Sequence, residues 1–87
     1  MINKNKINKE LATRLKTARK ILGYRSASAF AMANNIPVQT YLNHESGKRG
    51  ISIPIALEYC TVLGISFHWL VTGQGEMLEQ AGELMTE

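Results

Sequence analysis

The segment Val38–Glu45 carries side chains whose types and spacing suit binding to a polar partner. If it is a helix, it exposes two amides one turn apart, a hydroxyl and a small aliphatic group, on Gln39, Asn43, Thr40 and Val38. Tyr41 lies on the opposite helical face from the two amides, so we expect it to be a core residue. The segment therefore predicts a short helix with one polar, outward ridge and one anchored, inward face.

A tight turn and a second short helix must position that ridge. Ser26 is a suitable N-cap, because its hydroxyl can accept a hydrogen bond from the first turn of a helix that contains Phe30 and Ala31. The pair Asn34–Asn35 can adopt the left-handed conformation that ends a helix, and Pro37 presets φ for the next one. Two short helices joined in this way, over residues 26–47, are typical of a DNA-reading helix-turn-helix.

A basic loop follows the second of these helices directly, at Lys48, Arg49 and Gly50. If Val38–Glu45 lay in a major groove, this loop would lie beside the phosphate backbone. Phosphate contacts supply much of the affinity of DNA-binding proteins and fix their register. The loop is therefore expected to bind phosphate.

The distribution of charge favours a polyanionic partner. The chain has 87 residues and a net charge of +3, but residues 1–50 contain all ten Lys and Arg with two Glu, and residues 51–87 contain five Glu and no basic residue. Single lysines usually only solvate a helix face, whereas complete segregation of this kind favours nucleic acid binding. A chain of this length forms one domain with a single core.

Other classes of protein are disfavoured. Cys60 is the only cysteine, so no internal disulfide is possible, and it lies on an apolar stripe, where we expect a buried small hydrophobic residue rather than a nucleophile. His44 and His68 have no partner at metal-ligand spacing, and no phosphate-binding glycine loop or catalytic triad is visible. No apolar run approaches ~18 residues, and the start of the chain lacks the apolar region of a secretory signal. We therefore expect a cytoplasmic protein that is not an enzyme and has no metal, cofactor or membrane partner.

The chain is expected to divide into three parts. Residues 1–7 are read as a flexible basic arm, which either follows phosphates or has no role, and residues 8–73 as the folded domain. Residues 74–87 are read as an acidic amphipathic tail, which can cover a second copy, lie back on its own core or belong to a linker. We favour a partly ordered tail with a role in self-association.

Three further helices complete the predicted domain. The first begins after Asn8 and ends at Gly23, and the other two are capped by Ser52 and Ser66. The predicted apolar stripe of the first helix is Leu11, Leu15, Ala18 and Leu22, widened by Ile21. That of the helix capped by Ser52 is Ile53, Leu57, Cys60 and Leu63, with Ile55, Tyr59 and Val62 on its flanks. Trp69 is expected to anchor the core or a dimer interface. The expected fold is thus all-α, with five helices and a C-terminal tail that can become helical.

Several fragments, in this order and spacing, resemble the lambda-repressor-like DNA-binding domains of bacterial and phage regulators, the Cro/CI or xenobiotic-response-element family. They are Phe30-Ala31, the turn at Asn35-Ile36, Gln39 to Tyr41, His44 to Arg49, and Leu63 to Gly73. Two positions depart from the family pattern. Asn35 stands where a turn glycine is frequent, and Ala27 stands where a glutamine often braces a phosphate.

The resemblance implies a role for each site residue. It implies a homodimer on a near-palindromic double-stranded DNA operator, with half-sites ~34–36 Å apart. Base contacts would come from Val38, packed on a thymine methyl group, and from Gln39 and Asn43, each able to pair with adenine through N6 and N7. Phosphate contacts would come from Thr40, Lys48, Arg49 and the start of the first motif helix, at Ser26, Ala27 and Ser28. A structural ion pair would join Arg19 to Glu45.

Three hypotheses about function follow. The first is a sequence-specific transcriptional regulator, in the form of a repressor that occludes a promoter. The second is a protein-binding module, such as an antitoxin, that holds a protein partner through residues 74–87. The third is the DNA-binding end of a longer repressor.

Overall fold

Five α-helices make up the part of the chain that the computed structural model describes, residues 4–79. In chain order they are α1 (Lys4–Ile21), α2 (Ala27–Ala33), α3 (Val38–Glu45), α4 (Ile53–Leu63) and α5 (Phe67–Thr72). The predicted all-α class is confirmed for these residues. None of the helices in this range is long and apolar enough to cross a membrane.

Three serines begin the helices that were predicted to follow them. The hydroxyl oxygens of Ser26, Ser52 and Ser66 accept hydrogen bonds from the backbone N–H three residues later, at 3.0, 3.4 and 3.1 Å. Each bond satisfies an N–H group of the first turn that has no partner within the helix. The predicted N-caps are therefore confirmed, and they place α2, α4 and α5 along the chain.

The turn between α2 and α3 depends on one residue in a left-handed conformation. Asn35 has a φ of 58°, as predicted from its tolerance of positive φ. The N–H of Ile36 donates to the carbonyl of Ala31 at 2.9 Å, which closes the turn on α2. Pro37, with φ −56° and ψ 125°, is the N-cap of α3 and not a residue of its first turn. The turn thus brings the two short helices together within four residues.

Helix α1 begins earlier than the sequence predicted. It starts at Lys4, so residues 4–7 are helical and are not part of an arm, and Met1–Asn3 lie outside the described range. The segment from Lys4 to Lys9 contains no glycine or proline that would stop the helix from extending. It is also supported by tertiary contact, because Asn8 and Lys9 lie against the loop between α3 and α4. The helix ends at Ile21, followed by Gly23 with a φ of 98°.

The core gathers side chains from all five helices. Its members include Leu15 and Ala18 of α1 and Leu70 of α5, together with a run of packed aromatic rings. In that run Tyr24 contacts Phe30, Phe30 contacts Tyr41, and Tyr41 contacts Tyr59, with ring centroids 5.0, 4.8 and 5.3 Å apart. These successive ring contacts join α2, α3 and α4 in the core.

Two of the predicted apolar stripes are partly wrong. Ile21 is 63% exposed at the end of α1, and Leu22, which follows the helix, is 37% exposed. Ile53 and Leu57 of α4 are 66% and 48% exposed. Cys60 and Leu63 are buried as predicted, and Ala56 and Tyr59 complete the buried face of α4. Apolar residues surround α4 on nearly every side, so the periodicity did not select a single face. On this face the ring of Tyr59 contacts the rings of Tyr41 and His44 in α3.

The described part of the C-terminal tail lies back on its own core. The N–H of Ser66 donates to the carbonyl of Met77 at 2.8 Å, and the N–H of Glu79 donates to that of Gly64 at 2.9 Å. Ile65 and Leu78 thereby form an isolated antiparallel bridge, and Met77 packs partly against the core. The predicted amphipathic helix is not formed over residues 74–79. Its remaining residues, 80–87, lie outside the described range.

Candidate nucleic-acid interface

Helix α3 separates its polar and apolar side chains onto opposite faces. Gln39 and Thr40 are exposed, whereas Tyr41 is fully buried and His44 is 6% exposed. Asn43 is half-buried and lies one turn from Gln39. The structure thus places the predicted ridge on the outside of the protein and Tyr41 in the core.

The two amides of the ridge are joined. The Gln39 Nε2 group donates a hydrogen bond to the Asn43 Oδ1 atom at 3.1 Å. This bond leaves the carbonyl oxygen of Gln39 and the NH₂ group of Asn43 with hydrogen-bonding capacity toward solvent. The pair presents an acceptor and a donor from neighbouring positions, and its bond limits the rotamers that the two side chains can sample.

Val38 is less available than the two amides. It lies in the first turn of α3, is half-buried and packs against the core. Only part of its side chain can therefore contact another molecule. That part is still sufficient for apolar contact with a methyl group.

A buried ion pair fixes the end of α3 to α1. The Arg19 Nε atom lies 2.5 Å from the Glu45 Oε2 atom, and the two side chains are only 4% and 8% exposed. Arg19 also donates through Nη1 to the carbonyl of Tyr24 at 2.7 Å, and the Tyr41 hydroxyl donates to Glu45 Oε2 at 3.2 Å. The predicted pair is present, and both charges have further hydrogen-bond partners, as buried charges require. Burial raises the pKa of Tyr41 far above its ordinary value, and the adjacent Glu45 raises it further.

A second polar contact fixes α3 to α4, and the sequence analysis did not predict it. The His44 Nδ1 atom lies 2.7 Å from the Tyr59 hydroxyl, and their rings meet edge to face. Burial lowers the pKa of His44, and the nearby cation of Arg49 lowers it further. Burial raises the pKa of Tyr59 to about 12, with a smaller contribution from the charge of Glu58. The signal available in the sequence was the spacing of Tyr41 and His44, three residues apart on one helical face.

The basic loop follows α3 without a break. Lys48 and Arg49 are exposed, and the N–H of Arg49 donates to the carbonyl of Asn43 at 3.1 Å. Gly47 has a φ of 81°, a conformation that glycine adopts without strain. The Ser46 hydroxyl accepts a hydrogen bond from the N–H of Lys48 at 3.3 Å. The loop therefore holds its two cations close to the Asn43 end of the polar ridge.

The remaining predicted phosphate-binding residues lie at the start of α2. The Ser26 hydroxyl oxygen already caps the helix, but its own proton remains able to donate. Ala27 packs partly against the core, and Ser28 is half-buried. Thr40, in contrast, is exposed on α3 itself. Among the predicted phosphate-binding residues, Ser26, Thr40, Lys48 and Arg49 are exposed, whereas Ala27 and Ser28 are half-buried.

Arg14 has a structural role that the sequence analysis missed. It lies away from the predicted apolar stripe of the first helix, but its Nε and Nη2 groups donate to the carbonyls of Leu70 and Val71 at 2.6 and 2.7 Å. These carbonyls lie near the end of α5, where backbone acceptors lack partners within the helix. Arg14 therefore attaches α5 to α1.

Other candidate chemistry is not supported by the described residues. Cys60 is buried as predicted. Burial raises the pKa of its thiol to about 11, with a smaller contribution from the charge of Glu79. A thiol with such a pKa is a poor nucleophile at neutral pH. Within residues 4–79, no three His, Cys, Asp or Glu side chains group closely enough to hold a metal ion. Trp69 is half-buried against the core, as expected for an anchoring residue.

The arrangement can therefore donate and accept hydrogen bonds along one exposed ridge, and can bind anions beside that ridge. Comparisons with models of protein families, with curated proteins and with solved structures find no match to this chain.

Proposed function

We propose that this protein is a sequence-specific DNA-binding transcriptional regulator of the lambda-repressor-like type, acting in the cytoplasm as a repressor. In this proposal α2 and α3 form the helix-turn-helix, and α3 enters the major groove of an operator. The observation that carries the proposal is the two-sided character of α3. Its outward ridge is polar and followed by cations, while its inward face is anchored to both α1 and α4.

The ridge would read bases. Gln39 and Asn43 would contact an adenine edge through their amides, and the exposed part of Val38 would contact a thymine methyl group. Their mutual hydrogen bond supports a shared role, because two linked amides can be oriented before the DNA arrives. We therefore expect the two positions to specify neighbouring base pairs and to depend on each other.

The surroundings of the ridge would bind the backbone. Lys48 and Arg49 are exposed in the loop that begins at the end of α3, and Thr40 is exposed beside Gln39. The first turn of α2, at Ser26, Ala27 and Ser28, would add a hydroxyl and backbone N–H groups on the other side. Such contacts set the register of α3 and supply affinity that is independent of base sequence.

A homodimer would place two such ridges on one face of a duplex. Apolar side chains exposed on α4, at Ile53, Leu57 and Val62, support association with another protein surface. A second copy of the chain fits a near-palindromic operator, with half-sites ~34–36 Å apart. The same apolar side chains would also suit a different protein, as in an antitoxin, and this is the second candidate function.

Selection of bound sequences from a random DNA pool tests the proposal. We expect enrichment of two related half-sites with a fixed spacing. Recovery of a pool without any enriched sequence would exclude the base-reading role of α3.

Two variants separate base contacts from phosphate contacts on the selected operator. Gln39→Ala should cost ~1–3 kcal/mol at a single base position and relax specificity there. Lys48→Ala should weaken binding to all sequences alike and lower the slope of log affinity against log salt by ~0.9. Binding measured by fluorescence anisotropy on the operator and on single-base variants distinguishes the two patterns. Unchanged operator affinity in both variants would contradict the assigned roles.

A further inference from the structure

The loop between α3 and α4 lies directly on the first turns of α1. A Cβ atom added at Gly47 would lie 3.6 Å from the Lys9 Cγ atom and 3.8 Å from its Cα atom. A Cβ atom added at Gly50 would lie 3.0 Å from the Asn8 Nδ2 atom, which is closer than ordinary van der Waals contact. The two glycines therefore let the loop backbone approach α1, with Lys48 and Arg49 between them.

This contact makes one surface from two distant parts of the chain. Lys9, Lys48 and Arg49 are all exposed, and the stem of Lys9 lies against the loop that carries the other two cations. A long side chain packed along its stem loses less conformational freedom when its ammonium group binds an anion. We call the set Asn8, Lys9, Lys48 and Arg49 the loop–helix basic surface.

Two carboxylates belong to the helices next to this surface, one in α1 and one at the end of α3. Glu45 is buried in its pair with Arg19. Glu10, the only acidic residue of α1, lines a shallow groove with Lys9, Thr72 and Gly73, so one carboxylate lies at the Lys9 end of the surface. The three exposed cations of the loop–helix basic surface therefore outnumber the one exposed carboxylate beside it, and this excess of positive charge suits a polyanion.

We propose that Asn8 and Lys9 bind DNA phosphates that flank the half-site, on the backbone strand contacted by Lys48 and Arg49. The proposal rests on the DNA-binding function proposed above. It adds two residues of α1 to those that contact DNA. Lys9 supplies charge and the Asn8 amide supplies a neutral hydrogen-bond donor. The two residues thus add sequence-independent affinity.

The salt dependence of binding to a mixed-sequence DNA duplex tests this proposal, because phosphate contacts do not require the operator. We expect Lys9→Gln to lower the slope of log affinity against log salt by ~0.9, so that its affinity falls about 3.5-fold less than that of the wild type between 50 and 200 mM salt. Lys20→Gln is the matched control, since it removes the same charge from α1 about 16 Å further along the helix axis. It should leave the slope close to the wild-type value.

Two further variants separate charge from structure. Lys9→Arg should retain the wild-type slope, and Asn8→Ala should weaken binding several-fold without changing the slope, because the lost donor is neutral. A wild-type slope in Lys9→Gln would overturn the proposal, as would equal changes in Lys9→Gln and Lys20→Gln, which would indicate a net-charge effect. A lowered slope in Lys9→Arg as well would indicate a structural role for Lys9 and would also overturn the proposal. If the wild-type protein fails to bind any duplex, the DNA-binding function itself is wrong.

Discussion

Glu45 has a carboxylate oxygen that accepts hydrogen bonds from two buried partners. Its Oε2 atom accepts from Arg19 Nε at 2.5 Å and from the Tyr41 hydroxyl at 3.2 Å. Removing charges from water is costly, so such a pair contributes less to stability than its short distance suggests. Its main effect is on position, because it joins the last turn of α3 to α1.

The pair predicts an order of stability among variants. Arg19→Met leaves the Glu45 carboxylate buried with only the Tyr41 hydroxyl as its partner, and should lower the free energy of unfolding by about 3–5 kcal/mol. The double variant Arg19→Met with Glu45→Leu removes both charges, and should be more stable than the single variant. Urea denaturation monitored by circular dichroism measures the difference. A double variant less stable than Arg19→Met would show that the pair is a large net source of stability, contrary to this account.

At the scale of elements, α3 is held from two directions. Glu45 connects it to α1 through Arg19, and His44 connects it to α4 through the Tyr59 hydroxyl. The helix has only eight residues, and helices of this length depend on packing for their stability. Contacts from two helices therefore fix the direction in which Gln39 and Asn43 project.

The His44 contact predicts that stability depends on pH. Burial lowers the pKa of His44 below its ordinary value of 6.5, and the cation of Arg49 makes a smaller contribution in the same direction. The folded protein therefore favours the neutral ring. As the pH falls through 6.5, the unfolded chain binds this proton before the folded chain does. The free energy of unfolding should therefore be highest above that pH and should decrease as the pH falls toward the lowered pKa of the folded state. Urea denaturation at a series of pH values measures this decrease.

Matched histidine variants identify the group responsible. His44→Gln should remove this part of the pH dependence, although it also reduces stability at neutral pH. His68→Gln changes an exposed ring and should retain the decrease. If the decrease persists in His44→Gln and disappears in His68→Gln, the effect belongs to His68 and the assignment to His44 is wrong.

At the scale of the whole molecule, the basic residues and the apolar residues exposed on α4 lie in different parts of the chain, although Ile21 and Met32 are exposed within the basic part as well. The basic residues all lie within the first 50, whereas α4 exposes Ile53 and Leu57. Leu57 lines two surface grooves, one with Phe67 and Glu79 and one with Ile36. A protein that binds DNA with one surface and a second copy with another would divide its residues in this way.

The proposed dimer predicts that a charged residue introduced on α4 weakens association between two copies of the chain. The wild-type chain should sediment with twice its mass of 9.7 kDa at micromolar concentration, and Leu57→Glu should shift it toward the monomer. Burying an unpaired carboxylate in an apolar interface is costly, whereas Leu57 is already 48% exposed in the folded chain. Ile21→Glu is the control, because Ile21 is 63% exposed on α1 and should not affect association. Dissociation in both variants, or a monomeric wild type, would contradict the use of α4 as the dimer interface.

The sequence by itself determined the features that depend on short stretches of chain. Three serines at helix starts and Asn35 at the turn act through hydrogen bonds and backbone conformations within a few residues. The outward amides and the inward Tyr41 follow from the spacing of a single helix. The Arg19–Glu45 pair was expected only from the resemblance to a known family, because no local pattern joins residues 26 positions apart.

Only the tertiary structure decided which faces met. It selected Ala56 and Tyr59 as the buried face of α4 over Ile53 and Leu57, and it paired His44 with Tyr59. It extended α1 to Lys4 and placed Asn8 and Lys9 against the loop that carries Lys48 and Arg49. These outcomes depend on packing between segments far apart in the chain, where close-packed volume and the satisfaction of buried polar groups outweigh local periodicity.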